Sequence, residues 1–146
     1  MPSGSSAPMA PPAPEKRPIV LGCPVDALTL AETVAWVDGH LAGPEPTPVQ
    51  HVALNAAKVV AMQRNPALRE AILRCGLISA DGQSIVWAAR WLGARLPERV
   101  AGIDLMEELV GLAARRGYRV YFLGARPAVV EAVVRHYRAR YPRLAV

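Results

Sequence analysis

The chain has 146 residues, of which 52% are hydrophobic, 20% charged and 5% aromatic. This size and apolar content fit one globular domain and exclude a long multidomain protein, a collagen-like fibre and a largely disordered chain. No apolar stretch approaches the roughly 18 residues of a membrane span, so we do not expect an integral membrane protein. The two cysteines form no C-x-x-C pair, which argues against a disulfide scaffold and a structural zinc site and favours a reducing compartment.

The net charge of +5 is distributed unevenly along the chain. Residues 1–114 carry a net charge of −2, whereas residues 115–146 carry +7, with eight arginines and a single glutamate. An arginine-rich end can bind phosphate groups, an anionic membrane surface or nucleic acid, and it can equally be a solvated helix face. Since no recognition-helix, zinc-finger or RNA-binding signature is present, we predict no nucleic-acid partner.

Residues 1–18 are rich in Pro, Ala and Ser and contain no apolar run, which predicts a disordered tail. Their basic residues follow the apolar ones, unlike the order in a secretory signal, so we expect a cytoplasmic protein. The rest of the chain, residues 19–146, is predicted to form one α/β domain.

From Ile19 onward, short apolar runs alternate with amphipathic segments. The predicted strands cover residues 19–21, 49–54, 77–79 and 119–123, and residues 144–146 resemble the start of another. Six helices are predicted. The first follows a Thr29–Glu32 capping box, the second covers residues 56–64, and the third runs from the Asn65-Pro66 cap to Gly76. The others cover residues 83–92, residues 104–116 with Asp104 as the cap, and the segment from Pro127 to Pro142.

The strands have continuous apolar sequences, which is typical of a parallel sheet covered on both faces. We therefore predict a Rossmann-like α/β fold with an open, mostly parallel sheet and helices on both faces. Because a doubly wound domain does not usually end inside a strand, we expect the C-terminal part of the fold to lie beyond Val146.

Ligands of open α/β sheets bind at the carboxyl ends of the strands. Asn55, Asp81 and Gly124 each follow a predicted strand. For Asn55 and Asp81 the plainer interpretation is a helix cap, which is the commoner role of such residues. The turn from Gly124 to Pro127 is compatible with a phosphate cradle at a helix N-terminus, but it lacks the full G-x-G-x-x-G pattern.

Other candidate residues point to structural roles. His40, His51 and His136 have no metal-ligand spacing and are predicted to be satisfied or solvated. Trp87 and Trp91 lie one helical turn apart on an apolar helix, and we predict core or subunit contacts for them rather than a sugar platform.

Several motifs are more specific together than singly. The chain presents, in order, Leu54-Asn-Ala56, Asn65-Pro-Ala-Leu-Arg69, Ser79-Ala-Asp-Gly-Gln-Ser84, Leu96-Pro-Glu-Arg-Val-Ala-Gly-Ile-Asp-Leu105, Tyr118-Arg-Val-Tyr-Phe-Leu-Gly-Ala-Arg-Pro127 and Tyr141-Pro142. From about Ile19 to its last residue, this pattern resembles the WecG/TagA/CpsF family of bacterial glycosyltransferases (glycosyltransferase family 26). The match is most specific at the Asp-Gly turn and at the Arg-Val-x-Gly-x-Asp-Leu segment.

The resemblance implies an inverting transfer of a sugar, N-acetylmannosamine or another hexose, from a UDP-sugar donor. The implied acceptor is a sugar on an undecaprenyl-diphosphate carrier, and the product enters cell-surface polysaccharide or teichoic acid. The reaction is expected to need no metal and to take place at the inner face of the cytoplasmic membrane, with the enzyme as a peripheral protein. A homo-oligomer is left open.

The resemblance also implies roles for individual residues. Asp81 matches the proposed general base, and Arg99 matches a phosphate or active-site contact. The expected substrate contacts around them are Asn55, Gly82, Gln83, Gly102, Asp104, Gly124 and Arg126. Ala53 departs from the pattern, since many members have threonine there, and one hydroxyl contact is therefore lost or the donor sugar is held differently.

Two alternatives to the enzyme remain open. A non-catalytic nucleotide- or phosphate-binding module would bind without turnover, and Asp81 would be dispensable. An inactive truncated remnant would aggregate and expose apolar surface.

Overall fold

The computed structural model describes residues 17–44 and 47–146, so most of the predicted tail lies outside the described residues. The described part is an α/β fold with a small, open parallel sheet, as the sequence predicts. Its strands are β1 (Ile19–Val20), β2 (Cys23–Pro24), β3 (His51–Leu54) and β4 (Leu77–Ala80). Its helices are α1 (Leu30–Leu41), α2 (Ala56–Arg64), α3 (Pro66–Leu73), α4 (Gln83–Trp91), α5 (Gly102–Arg116) and α6 (Pro127–Arg140). The chain divides into two compact units, one up to Leu105 and one from Met106 to Val146.

The parallel sheet of the first unit consists of β3 and β4. His51 pairs with Leu77 and Leu54 pairs with Ala80, so the two strands end at the same level. Every residue of β4 is buried, which explains why the strand is apolar apart from Ser79. The sheet therefore has one carboxyl edge at which the chain leaves both strands.

The prediction of a single strand at residues 19–21 is wrong in its extent. The segment is a tight antiparallel hairpin in which β1 pairs with β2. Leu21 and Gly22 form its turn with φ values of 51° and 77°. Two consecutive left-handed residues characterise the turns that match the twist of a two-residue hairpin. An apolar leucine at the first of these positions gives no turn signal in the sequence.

Arg17 and Pro18, which the sequence assigns to the tail, are held against the first unit. Nε of Arg17 lies 2.8 Å from a carboxylate oxygen of Asp26. That carboxylate also accepts a 2.6 Å hydrogen bond from the amide of Ile78 in β4. The carbonyl of Pro18 accepts from the amide of Val25 at 2.9 Å. A buried acid thus joins the start of the domain to β4.

At the starts of α1, α3 and α5, the predicted caps are confirmed with one exception. The Thr29–Glu32 capping box opens α1, and Asn65 caps α3 with Pro66 in its first turn. The exception is Asp104, for which a capping position is wrong. Because α5 begins at Gly102, Asp104 lies inside its first turn, where a negative charge still favours the helix dipole.

The core of the first unit packs around β3 and β4, with Leu54, Ile78 and Ile85 almost fully buried. The prediction of core positions for Trp87 and Trp91 is wrong. Their side chains are 56% and 87% exposed, because Ile85 and Ala89 occupy the buried side of α4.

The second unit packs α6 against the last turns of α5, with Tyr137, Val110 and Leu144 in its core. The hydroxyl of Tyr137 donates a 2.7 Å hydrogen bond to Glu107. The predicted strands at 119–123 and 144–146 are wrong as full strands. Within the described residues they are joined by one parallel bridge, between Arg119 and Ala145, and a single bridge does not make a ladder.

Candidate functional site

The carboxyl edge of the parallel sheet brings Asn55 and Asp81 to neighbouring positions. Each is the first residue after its strand, and the last paired residues are Leu54 and Ala80. The amide of Asp81 donates a 2.7 Å hydrogen bond to the carbonyl of Leu54, which continues the pairing by one more residue. Both polar residues therefore lie at the edge where open α/β sheets bind their ligands.

The Asp81 carboxylate does not cap α4. The N-cap is Gly82, and the cap position makes no side-chain hydrogen bond. In residues 17–44 and 47–146, no hydrogen bond or ion pair to the Asp81 carboxylate occurs. The plainer interpretation of Asp81 as a helix cap is therefore wrong, and its oxygens are available to a ligand.

Gly82 sets the direction in which the chain leaves β4. Its φ of 103° and ψ of 139° are open to glycine and strained for other residues. A Cβ at this position would meet only the Ser84 hydroxyl, 3.7 Å away. Glycine is therefore required by the backbone conformation and not by a lack of room for a side chain. The partly exposed Asp81 lies just before this glycine, and the exposed Gln83 is the first residue of α4.

The segment from Arg99 to Asp104 crosses the same edge. The amide of Val100 donates a 2.8 Å hydrogen bond to the carbonyl of Ala80, the residue before Asp81. Gly102 lies against β3, since a Cβ on it would stand 3.2 Å from the Cβ of Ala53. These contacts fasten the segment to the ends of both strands.

Arg99 and Asp104 form an ion pair across this segment. The guanidinium nitrogen and the carboxylate oxygen are 3.2 Å apart, and both side chains are about half exposed. An exposed pair of this kind adds little to stability. The guanidinium retains donors that can serve a phosphate, because arginine has five N–H groups.

Asn55 has the structural role that the sequence left open. Its side-chain oxygen accepts a 3.0 Å hydrogen bond from the amide of Lys58, which caps α2. The cap fixes the carboxamide at the sheet edge, and its NH₂ group makes no hydrogen bond within residues 17–44 and 47–146. Capping therefore does not remove Asn55 from the predicted set of substrate contacts.

Behind this edge, His51 in β3 and Ser79 in β4 form a polar contact that sequence reasoning missed. Nε2 of His51 lies 2.9 Å from the Ser79 hydroxyl, which is buried. Burial lowers the pKa of His51, because the charged imidazolium loses hydration. The prediction of a satisfied histidine is confirmed here, and only the strand register could have revealed its partner.

The second unit carries the remaining two predicted contacts, Gly124 and Arg126. Gly124 has a φ of 112°, and Arg126 occupies the N-cap of α6 without a side-chain capping bond. A cavity of about 560 Å³ adjoins them, lined among others by Pro127, Val130 and Arg135. This turn precedes a helix N-terminus, as expected for a phosphate cradle.

No group of three or more His, Cys, Asp or Glu side chains is arranged to hold a metal ion in the described ranges. The predicted independence from metal stays a prediction. None of the helices in the same ranges has both the length and the apolar character needed to cross a bilayer.

Comparison with known proteins assigns the chain to a family. Residues 18–146 match the glycosyl transferase WecG/TagA/CpsF family. Relatives include the N-acetylglucosaminyldiphosphoundecaprenol N-acetyl-beta-D-mannosaminyltransferase of Staphylococcus aureus strains NCTC 8325, COL and N315. Each is 30% identical over 125 residues, which cover 86% of this chain and 49% of the relative. The chain thus spans about half the length of these relatives. It belongs to the WecG/TagA/CpsF family of glycosyl transferases.

Proposed function

We propose that this chain takes part in an inverting transfer of a hexose, N-acetylmannosamine or a close analogue, from a UDP-sugar to a saccharide on undecaprenyl diphosphate. Family membership and the names of the Staphylococcus aureus relatives support the class of reaction and the lipid-linked acceptor. The UDP-sugar donor and the inversion are our own extension of the family resemblance.

The observation that carries the proposal is the unpaired carboxylate of Asp81 at the sheet edge. A sugar hydroxyl is a poor nucleophile, and a carboxylate within hydrogen-bond reach can take its proton as the new bond forms. In the proposed step the acceptor oxygen attacks the anomeric carbon on the face opposite to the leaving group. The bond from that carbon to the diphosphate breaks, and UDP leaves with the electron pair.

Negative charge grows on the departing diphosphate, and fixed cations and amides must stabilise it. We assign this role to the Arg99 guanidinium. Its ion pair with Asp104 holds the arginine on the segment fastened to Ala80. The first amides of α4, next to Gly82 and Gln83, are donors of the same kind, since a helix N-terminus favours anions.

The remaining assignments are the contacts that hold the substrates. We propose that Asn55 and Gly102 line the donor sugar, and that Gly124 and Arg126 provide a phosphate contact in the second unit. We also propose a protein that acts at the inner face of the cytoplasmic membrane without spanning it. A homo-oligomer and independence from metal belong to the same proposal.

The test of the reaction uses the purified chain with UDP-N-acetylmannosamine and undecaprenyl-diphosphate-N-acetylglucosamine. We expect a radiolabelled disaccharide-lipid whose new linkage has the anomeric configuration opposite to that of the donor. UDP-sugar binding by calorimetry is measured in parallel. Binding without any product would favour the nucleotide-binding module, and a product with retained configuration would contradict the proposed mechanism.

A further inference from the structure

Helix α4 has an outward face that is both aromatic and exposed. Trp87 and Trp91 lie one turn apart and are 56% and 87% exposed, and Leu92 at the end of the helix is 58% exposed. The opposite side of the helix is buried through Ile85 and Ala89. Two exposed tryptophans on one turn are costly in water, so this face is suited to a partner that offers an apolar environment.

Arginines flank these tryptophans without any nearby acid in the sequence. Arg90 and Arg95 are exposed, and residues 83–96 contain no Asp or Glu. Both arginines line a cavity of about 590 Å³ with Val86 and the 93–96 loop. Neither forms an ion pair within the part of the chain that the structure describes. The charge of this surface therefore complements anionic phosphate groups.

We propose that Trp87, Arg90, Trp91, Leu92 and Arg95 form a docking surface for an anionic lipid bilayer, here called the α4 docking surface. Indole rings favour the headgroup level, where the ring is shielded from water and its N–H can still bond. Arginine binds phosphate with its fork of donors. The inference deepens the proposed function and rests on it in one respect, since a lipid-linked acceptor has to be reached at a membrane.

The surface lies in the first unit and is distinct from the arginine-rich residues 115–146. Those residues offer charge, and adsorption through charge alone is lost when salt screens it. The α4 docking surface adds apolar area that inserts at the interface, and this contribution persists in salt. Membrane binding through the α4 docking surface should therefore depend less on salt than binding through residues 115–146.

The experiment measures binding of the purified chain to vesicles of phosphatidylglycerol and phosphatidylcholine, without any sugar substrate. The test variant is Trp87→Ser/Trp91→Ser. The matched control is Val60→Ser/Leu73→Ser, which removes two partly exposed apolar side chains from α2 and α3. A third variant, Arg90→Ser/Arg95→Ser, removes the charges, and circular dichroism verifies that each variant folds.

We expect the tryptophan variant to bind about tenfold more weakly, at low and at high salt, whereas the control binds like the unaltered chain. The arginine variant should lose affinity for phosphatidylglycerol vesicles at low salt only. Tryptophan emission provides a second measurement. Trp36 is 3% exposed, so its emission should stay constant and any change should come from Trp87 and Trp91. Emission of the unaltered chain should shift to the blue on vesicles and be quenched by brominated lipid.

Three results would overturn the inference. One is unchanged vesicle binding by the tryptophan variant, and another is vesicle binding by the unaltered chain that is lost entirely at high salt. The third combines two observations: the unaltered chain does not bind vesicles, and it forms a dimer in sedimentation experiments that Trp87→Ser/Trp91→Ser abolishes. A second copy of the chain would then be the partner. Each result leaves the transfer reaction untouched, because no sugar substrate enters the assay.

Discussion

The backbone amide of Asp81 donates a hydrogen bond to the carbonyl oxygen of Leu54 over 2.7 Å. This bond lies just past the last paired residues of the parallel sheet. It holds the start of the Asp81-Gly82 turn against the end of β3, next to Asn55. The proposed base and the proposed sugar contact are therefore positioned by sheet hydrogen bonds rather than by a flexible loop, as a preorganised site requires.

The two asparagine caps form a natural comparison. Asn55 caps α2 through Lys58, and Asn65 caps α3 through Leu68, each with a 3.0 Å hydrogen bond. Replacing either by alanine should lower the free energy of unfolding by about 1 kcal/mol, because one helix amide loses its partner. Urea denaturation measures this cost.

Only Asn55→Ala should also weaken UDP-sugar binding, since Asn65 has no place at the sheet edge. Calorimetric titration of both variants at a temperature where both are folded separates the two effects. Equal affinities in Asn55→Ala and Asn65→Ala would show that Asn55 acts as a cap alone.

Gly82 and Gly93 form a second matched pair. Both have positive φ, 103° and 79°, and neither would meet a clash closer than 3.7 Å on gaining a Cβ. Gly82→Ala and Gly93→Ala should each cost about 1–3 kcal/mol of stability through backbone strain. Thermal unfolding compares them.

Gly82→Ala should in addition reduce sugar transfer at least tenfold, because the turn that aims Asp81 has to change. Gly93→Ala, which follows α4, should transfer at the unaltered rate. Parallel losses in the two variants would mean that stability alone explains the effect.

The burial of His51 should make the stability of the fold depend on pH. Burial lowers its pKa in the folded state, so the unfolded chain binds more protons as the pH falls past the ordinary value of 6.5. Stability that is present at neutral pH is therefore lost on acidification. Urea midpoints at pH 7.5 and 5.5 should differ more for the unaltered chain than for His51→Gln. An identical pH dependence in both would contradict this role.

Replacing Asp26, the buried member of the ion pair with Arg17, should cause a large loss of stability. Asp26→Ala leaves the buried Nε of Arg17 and the Ile78 amide without their carboxylate acceptor, at a cost of about 3–5 kcal/mol. Glu70→Ala is the control, because its i,i+4 pair with Arg74 is exposed and should contribute at most about 1 kcal/mol. Similar midpoints of denaturation for the two variants would contradict the importance of the buried pair.

Local signals in the sequence predicted much of the fold. The Thr29–Glu32 capping box and the Asn65-Pro66 cap are satisfied by residues within one turn, so they can be read without the tertiary structure. The largely apolar run of β4 is equally informative, because apolar residues fill a strand that is buried along its whole length, and Ser79 is its one polar residue.

Features that depend on distant partners could not be predicted. The Val100–Ala80 hydrogen bond fastens the Arg99 segment to the sheet across about twenty residues, and no local pattern encodes it. Residues 119–123 have strong β propensity, yet a strand needs a partner along its length, and propensity does not provide one. For Trp87 and Trp91 the sequence shows apolar residues around α4 but not which side faces the core.

The central claim is that the Asp81 carboxylate removes the proton from the acceptor hydroxyl. Its most direct test is the rate of sugar transfer by Asp81→Asn, with Glu108→Gln as the control for loss of an exposed carboxylate on α5. We predict that Asp81→Asn binds the UDP-sugar with unaltered affinity and transfers it about 10²- to 10⁴-fold more slowly, while Glu108→Gln is unaffected. Transfer by Asp81→Asn at the unaltered rate would contradict the claim.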